Sequence, residues 1–327
     1  MLARSALTRQ HLSVARRLTL LAAPTRLHHS SVAATQYGGP VGNSSHRVYF
    51  SRDNVPHSPW HDIPLLANAS ACEYNMICEI PRWSNAKLEI DTSTPFNPIK
   101  QDSKNGRPRY VADIFPYKGY IWNYGAFPQT FEDPSHTDKD TGCVGDSDPV
   151  DVIEVGQAVC AEGSIHRVKV LGLVALIDGG ETDWKVLAIR SDDPMADRIQ
   201  DIQSLETCMP GLLSATVDWF SKYKVPDGKP LNSWAFDGQA KDADYAHSVI
   251  AATHKAWGRL IHSESETGFA LANTTVRSSP HYLPADTAGQ KLKALTGAPL
   301  GQALVDSTQA PAKWHYVHKG MVTNSSA

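Results

Sequence analysis

The point along the chain where the hydrophobic period changes constrains its fold most. Between residues 73 and 190 apolar side chains recur at every second position or in short unbroken runs; after residue 190 they recur at every third or fourth. Tyr74, Met76, Cys78 and Ile80 alternate with Asn75, Ile77 and Glu79, and Leu88 and Ile90 alternate with Lys87 and Glu89. Further strands are expected over 109–114, 150–155, 167–177 and 184–190. Pro194 behind Asp192 and Asp193 reads as a capped helix start, and Pro210 opens a segment carrying Leu213, Val217 and Phe220. The longest helix is expected over 241–261, where Tyr245, Val249, Ile250, Thr253, Ala256, Trp257 and Leu260 form one stripe. Strands first and helices afterwards predict an α+β fold, a small β-barrel with helices packed on it.

The flanks differ from this body. Residues 1–36 carry Arg4, Arg9, Arg16, Arg17 and Arg26 and no acid, with Leu2, Leu7, Leu12, Leu18, Leu20 and Leu21 between them. That composition predicts a mitochondrial transit peptide and a matrix address, because a secretory signal needs a longer uninterrupted apolar block. Residues 37–72 read as an irregular N-terminal arm, 73–262 as the folded body, and 263–327 as a C-terminal extension. Ala, Ser, Thr, Gly and Pro dominate from 263 to 310, so this stretch is expected to be weakly ordered, with one short helix at 287–295. Lys313 to Val317 is aromatic enough to dock.

Net charge is −3, and subtracting the five arginines of the leader leaves −8 for the rest. An acidic body argues against nucleic-acid binding, which needs a dense basic surface. No stretch approaches the roughly 20 apolar residues that span a bilayer. The five cysteines are odd in number and scattered, and suggest neither a disulfide framework nor a zinc site.

The chemistry is concentrated where a loop enters a strand. Asp146, Asp148 and Asp151 crowd three carboxylates into six residues, and such a cluster is most tolerable when cations neutralise it. Oxygen ligands without His or Cys favour Mg²⁺, Mn²⁺ or Ca²⁺ over zinc. An exposed acidic turn has the same local sequence, but Pro149 and the apolar run after it predict a partly buried loop. An EF-hand fails, since Asp151 stands where its glycine belongs and Gln157 where its bidentate acid belongs. Asp178 and Asp183 flank a glycine turn that could bring them beside the first cluster, with Lys185 on the same strand face as Asp183. Glu79, Lys87 and Glu89 form a third group, for which a salt-bridge ladder is the simpler explanation. Arg109, Tyr120, Tyr124, Tyr223 and Lys224 are ordinary until a fold assembles them, yet such cations and phenols suit phosphate recognition. No GxxxxGK[ST], GxGxxG or GxSxG motif occurs.

The run Asp146-Ser147-Asp148-Pro149-Val150-Asp151 resembles the D-x-D-P-x-D signature of the soluble family I inorganic pyrophosphatases. His61-Asp62-Ile63-Pro64-Leu65, Glu79-Ile80-Pro81-Arg82-Trp83, Lys87-Leu88-Glu89, Asn123 through Thr130, Gly180 through Lys185 and Tyr223 through Pro230 resemble its eukaryotic branch in the same order. With the Arg-rich leader, the chain looks like the mitochondrial, fungal form. The resemblance covers 47–262 strongly and implies a closed OB-like five-stranded barrel, a homodimer, and hydrolysis of pyrophosphate with several Mg²⁺ ions per active site, Mn²⁺ being a substitute. It implies that Asp146, Asp151 and Asp183 hold the tight metal pair and Asp178 a substrate-associated metal. Asp148 is then the general base, Glu79 and Glu89 support metals or their waters, and Lys87, Arg109, Lys185, Tyr223 and Lys224 hold the phosphoryl groups. Tyr120 and Tyr124 line the site near the attacking water. The alternative from another class is a catalytically silent OB-like module that binds metals or anions; intact Asp148 argues against it.

The leader predicts import with cleavage near residues 30–40. N-terminal sequencing of the endogenous protein from mitochondria and cytosol tests this, and recovery of a chain with Met1 or Leu2 intact from the cytosol rejects it.

Overall fold

The computed structural model describes residues 32–297 and 313–317. Nine strands carry the architecture: β1 (Ala33–Tyr37), β2 (Arg47–Arg52), β3 (Glu73–Ile80), β4 (Leu88–Ile90), β5 (Ile99–Gln101), β6 (Asn123–Ala126), β7 (Asp151–Glu154), β8 (Ile165–Asp178) and β9 (Glu181–Arg190). Four helices follow: α1 (Ile202–Cys208), α2 (Leu212–Lys222), α3 (Ala243–Ile261) and α4 (Ala285–Gly297). Strands therefore precede helices, as the change of period predicts.

Five of the strands form a circuit. β3 pairs antiparallel with β6, β6 antiparallel with β7, β7 parallel with β9, β9 antiparallel with β8, and β8 antiparallel with β3. A smaller sheet runs β1-β2-β5-β4. The two sheets meet where the N–H of Ile90 in β4 donates to Glu79 Oε1 in β3 (2.7 Å).

Period-two alternation in β3 and the long β8–β9 ladder has a physical reason other than one wet face. Ile77, Ile80, Leu176 and Leu187 pack in one core cluster, with Trp219, Phe220 and Tyr223 of α2. Met76, Val168, Val170 and Val186 pack in another, with Ala246, Val249 and Ile250 of α3. Both faces are thus covered, and the shorter apolar runs of β8 and β9 satisfy the two at once. Gly125 is required where β6 shifts register against β3, since a Cβ there would stand 1.8 Å from the Ile77 carbonyl oxygen.

Several local expectations change. No helix starts at Pro194: Asp193 Oδ1 accepts from the N–H of Met195 (2.8 Å) and closes a turn, but the helix begins at Ile202 behind an Asp201–Ser204 capping box. The strand expected over 109–114 shrinks to Asp113–Ile114, which pairs in parallel with Trp314–His315, so the aromatic segment does dock. Residues 37–72 are not an irregular arm, since they include β2 and the buried Trp60 and Ile63. The leader expected over 1–36 lies outside the described residues up to Ser31, and Ala33–Tyr37 at its boundary is β1, paired along its length with β2.

The largest departure is the segment 263–297, which is packed rather than weakly ordered; 298–310 lie outside the described residues. The Asp62 carboxylate accepts from the N–H groups of Ser58, Thr274 and Thr275, each at 2.8 Å, and from the Thr275 hydroxyl at 2.7 Å. Asn97 Nδ2 donates to the Ala270 carbonyl (3.1 Å), and Ala288 of α4 is fully buried against Tyr49 and Phe96. Small polar residues look loop-like in sequence because their order here comes from a carboxylate 212 positions away.

Asp62→Ala leaves three N–H donors without their acceptor and is expected to cost about 3 kcal/mol or more. Urea unfolding together with limited proteolysis of 263–284 measures it; a loss below about 1 kcal/mol would show that the segment is held by other contacts.

Candidate active site

The acidic loop is clamped from both sides before any ion is considered. Ser147 adopts φ 77°, a left-handed turn between Asp146 and Asp148. Its N–H donates to the Glu132 carbonyl (2.9 Å), and the Glu132 N–H donates to the Asp148 carbonyl (2.9 Å). Val150 is fully buried, and its N–H donates to the Thr130 hydroxyl (2.9 Å). The 127–132 segment thus acts as a template for the loop, which accounts for the long Asn123–Thr130 motif.

β7 and β9 lie in parallel with Asp151 opposite Lys185. Lys185 Nζ consequently sits between carboxylates: it donates to Asp151, to Asp183 Oδ1 (2.5 Å) and to the Tyr124 hydroxyl (2.8 Å). Across the turn between β8 and β9, Lys224 Nζ donates to both oxygens of Asp178 (2.5 Å each), and the Tyr223 hydroxyl donates to Asp178 Oδ2 (2.9 Å). On the far wall Lys87 Nζ donates to Glu89 Oε2 (2.6 Å). Arg109 Nη1 donates to Asp102 Oδ2 (2.8 Å).

All fourteen residues singled out in the sequence line one cavity of about 400 Å³. The sequence reading missed Asp102, Glu181 and Phe220 in the same wall. It also missed Glu132, whose carboxylate lies beside Asp146 and Asp183, the three offering oxygens within 4.8 Å of one another. Glu132 is buried; its Oε1 accepts from the Trp184 N–H (2.9 Å), and its Oε2 has no partner. The only local hint of Glu132 is an acid following Phe131 at the end of the 123–130 motif. A larger cavity of about 520 Å³ lies between α3 and the 131–145 segment; it takes in Glu132 and carries Asp133, Asp138 and Asp140 at its rim, but none of the fourteen residues singled out in the sequence.

The charge balance restricts what the smaller cavity can do. Nine carboxylates face four cationic side chains, an excess of five negative charges when all are ionised. Burial pushes the Glu79, Glu132 and Asp146 carboxyls well above the usual range, with neighbouring acids adding to the effect. Asp183 is raised by burial too, with Lys185 opposing. Asp148 opens onto the cavity but is surrounded by protein mass, and desolvation raises it to about 6, against the pull of Lys87. Lys185 is held above its ordinary value, since the attraction of Asp151 and Asp183 outweighs its burial. A site so acidic accepts an anion only together with cations.

The residues fit hard divalent cations. The donors are carboxylate oxygens without a thiol or imidazole, and one of them, Glu132 Oε2, is buried without a partner beside Asp146 and Asp183.

A family model described as inorganic pyrophosphatase matches residues 76–258, more than half of the chain. The chain belongs to the inorganic pyrophosphatase family. It is 49% identical over 297 residues to the inorganic pyrophosphatase of Drosophila melanogaster, covering 90% of this chain and 87% of that one. The Mus musculus enzyme is 53% identical over 252 residues (76% and 86%), and that of Candida albicans 46% over 286 residues (87% and 97%). The solved inorganic pyrophosphatase of Schistosoma japonicum superimposes with a TM-score of 0.74 at 40% identity, covering 87% of this chain and all of that one. The similarity accordingly extends well beyond the acidic loop.

The folded protein holds the Asp148 proton to about pH 6, whereas the unfolded carboxyl releases it near its ordinary 3.8. The folded state therefore binds more protons between these values, and this group's contribution to stability falls as pH rises from about 4 to about 6. Because a divalent cation favours the ionised cluster, the rise in Tm on adding Mg²⁺ to chelator-treated protein is expected to be larger at pH 8 than at pH 5. Equal rises at both pH values in differential scanning calorimetry would contradict this.

Proposed function

We propose that this cavity is where the chain hydrolyses inorganic pyrophosphate to two phosphates. The observation that carries the reading is the interleaving of nine carboxylates with four cations around a cavity of pyrophosphate-accommodating size. Pyrophosphate repels hydroxide and is itself repelled by an acidic wall, so its hydrolysis needs charge neutralisation and a nucleophile generated near neutral pH. Bound Mg²⁺ ions, several per site and replaceable by Mn²⁺, would supply both. Asp146, Asp151, Asp178, Asp183 and, more remotely, Glu79 and Glu89 are the residues to hold them.

The chain's own groups do the rest. Asp148 accepts a proton from the attacking water; it follows the Ser147 turn in the cavity wall, and its raised pKa suits a base working near neutrality. Lys87, Arg109 and Lys224 face the phosphoryl oxygens and take up the charge that develops on the departing phosphate. Asp102 and Glu89 hold Arg109 and Lys87 in place beforehand. Lys185 and Tyr223 bind phosphate oxygens and position Asp183 and Asp178 respectively. Tyr120 and Tyr124 exclude bulk water from the attacking side, Tyr124 through its bond from Lys185. Phosphate transfers directly to water, and no group here is placed as a covalent nucleophile.

The circuit of five paired strands supports reading the larger sheet as a closed, OB-like barrel. For assembly we favour a homodimer: Trp83, Phe115, Trp314 and Tyr316 are each about half exposed, and Phe115 packs on both Trp314 and Tyr316 with ring centroids 5.9 and 5.3 Å apart. The Arg-rich leader supports a mitochondrial form acting in the matrix, where pyrophosphate-releasing reactions would supply the substrate. Among the described residues no helix is long and apolar enough to cross a membrane.

Protein lacking residues 1–31, which retains β1, is expected to release phosphate rapidly with Mg²⁺ and not with chelator. Asp148→Asn should fold normally and lose at least about 100-fold in kcat, the scale of general-base catalysis. Near wild-type turnover in that variant removes Asp148 from the role; no release by folded, Mg²⁺-binding protein favours the silent binding module. Light scattering on the same sample should give a dimer, and Trp83→Asp with Trp314→Asp a monomer. A monomeric parent protein would reject the assembly.

A further inference from the structure

The cavity of about 520 Å³ between α3 and the 131–145 segment has no role in the chemistry above, and its size falls within the roughly 300–1,000 Å³ of small-molecule sites. Side-chain bonds bridge it near both ends of α3. Asp140 Oδ2 accepts from the Tyr245 hydroxyl (2.7 Å), and Asp133 Oδ2 accepts from Arg259 Nη2 (3.1 Å). The 131–145 segment thus crosses α3 as an arch pinned on either side of the cavity, whose floor is the apolar surface of Phe131, Trp184 and Val249.

The charges around this floor are not evenly matched. Each acid of the rim already has donors. Asp133 accepts from Arg259 and from the Ser135 N–H (2.9 Å) and hydroxyl (2.6 Å), Asp138 from the N–H groups of Asp140 (2.8 Å) and Thr141 (3.0 Å), and Asp140 from Lys139 (2.7 Å) and Tyr245. Lys255 of α3 and His136 of the arch line the same cavity, and neither side chain makes a hydrogen bond or an ion pair among the described residues. A small molecule with a ring-bearing body and a carboxylate matches both features: the body covers the aromatic floor, and the carboxylate faces the unpaired Lys255.

The inner wall backs onto the carboxylates that would hold metal. Glu132 lines this cavity while its carboxylate lies beside Asp146 and Asp183; Gly145 precedes Asp146, and Thr182 and Trp184 flank Asp183. The Thr141 and Thr182 hydroxyls, 2.6 Å apart, tie the arch to β9, and Gly145 approaches Glu132 so closely that a Cβ there would clash with the Glu132 carbonyl. Without cations, repulsion among Glu132, Asp146 and Asp183 works to spread the arch from β9. A ligand that joins the arch to α3 opposes that spreading, as a bound cation does, so each favours the arrangement that suits the other.

We propose that this cavity is a regulatory site for a small aromatic carboxylate, whose binding tightens the protein's hold on divalent cations in the neighbouring site. The binding and its coupling to cations stand by themselves; the consequence for turnover rests on the pyrophosphatase reading.

Isothermal titration calorimetry of the full protein with 2-naphthoate, in chelator and again in Mg²⁺, tests the site with no pyrophosphate present. The expected dissociation constant is about 1 mM or below, the range for a ligand of this size. It should be at least about fivefold lower in Mg²⁺ than in chelator, and by linkage saturating naphthoate should tighten Mg²⁺ binding by the same factor. Ala252→Trp, which fills the cavity, and Lys255→Glu, which reverses its unpaired charge, should each weaken naphthoate binding at least about fivefold. Neither residue lines the active cavity, so both variants should release phosphate at the parent rate in saturating Mg²⁺. The cationic analogue 2-naphthylmethylammonium should bind the parent more weakly than naphthoate and prefer Lys255→Glu. In turnover assays naphthoate should lower the Mg²⁺ concentration that gives half the maximal rate. No naphthoate binding by protein with native circular dichroism, or undiminished binding by both variants, overturns the site. Equal naphthoate affinity in Mg²⁺ and in chelator overturns the regulation. Coupled binding in a protein that releases no phosphate would uphold the proposal and reject the pyrophosphatase reading instead.

Discussion

The parallel register that sets Asp151 of β7 opposite Lys185 of β9 is the constraint on which the rest of the site depends. It buries an ammonium group between two carboxylates and a phenol, at a point where none of them could remain charged alone. A slip of one residue in β9 would turn Lys185 and Asp183 together toward the other face of the sheet and leave Asp151 without its cation. The same register places the acidic loop at the mouth of β7 and the β8–β9 turn beside it. Thus the pairing of two strands determines the relation of three carboxylates from one loop to two from another.

Around that pair, support comes from contacts outside the Asp151–Lys185 register. The Glu132 backbone grips both sides of the Ser147 turn, and its side chain completes an oxygen cluster with Asp146 and Asp183. Glu79 reaches from β3 to the β4 backbone and so ties Lys87 and Glu89 to the larger sheet. Asp62 performs the equivalent task far from the cavity, holding the C-terminal segment against the body with one carboxylate. Burying so many acids is costly in isolation, and the protein offsets that cost with N–H donors, lysines and, by the chemistry of the donors, divalent cations.

Local chemistry was legible where its residues are neighbours in sequence. Asp146, Asp148 and Asp151 stand out because carboxylates so close together need a reason, and Lys185 follows Asp183 at a strand's two-residue step. The helix stripe from Tyr245 to Leu260 was readable for the same reason, since periodicity is a short-range property. Misreadings arose where order comes from afar. Residues 263–297 look loop-like because their anchors, Asp62 and Asn97, lie more than 170 positions away. Pro194 has a real cap in Asp193, but the turn behind it does not propagate because helical bonding resumes only at the Asp201 cap.

Taken alone, the amino-acid sequence determined the order of strands before helices, the acidic loop, the likeness to a pyrophosphatase and the net charge. These depend on composition, on spacing of a few residues and on motif order, all of which survive in an unfolded chain. Only the tertiary structure decided that Glu79, Lys87 and Glu89 join Arg109, Tyr223 and Lys224 in one cavity, and that Glu132 belongs beside Asp146 and Asp183. Such juxtapositions depend on strand register and on loops closing across scores of residues. A carboxylate's neighbours in space, rather than in sequence, set its charge and its pKa.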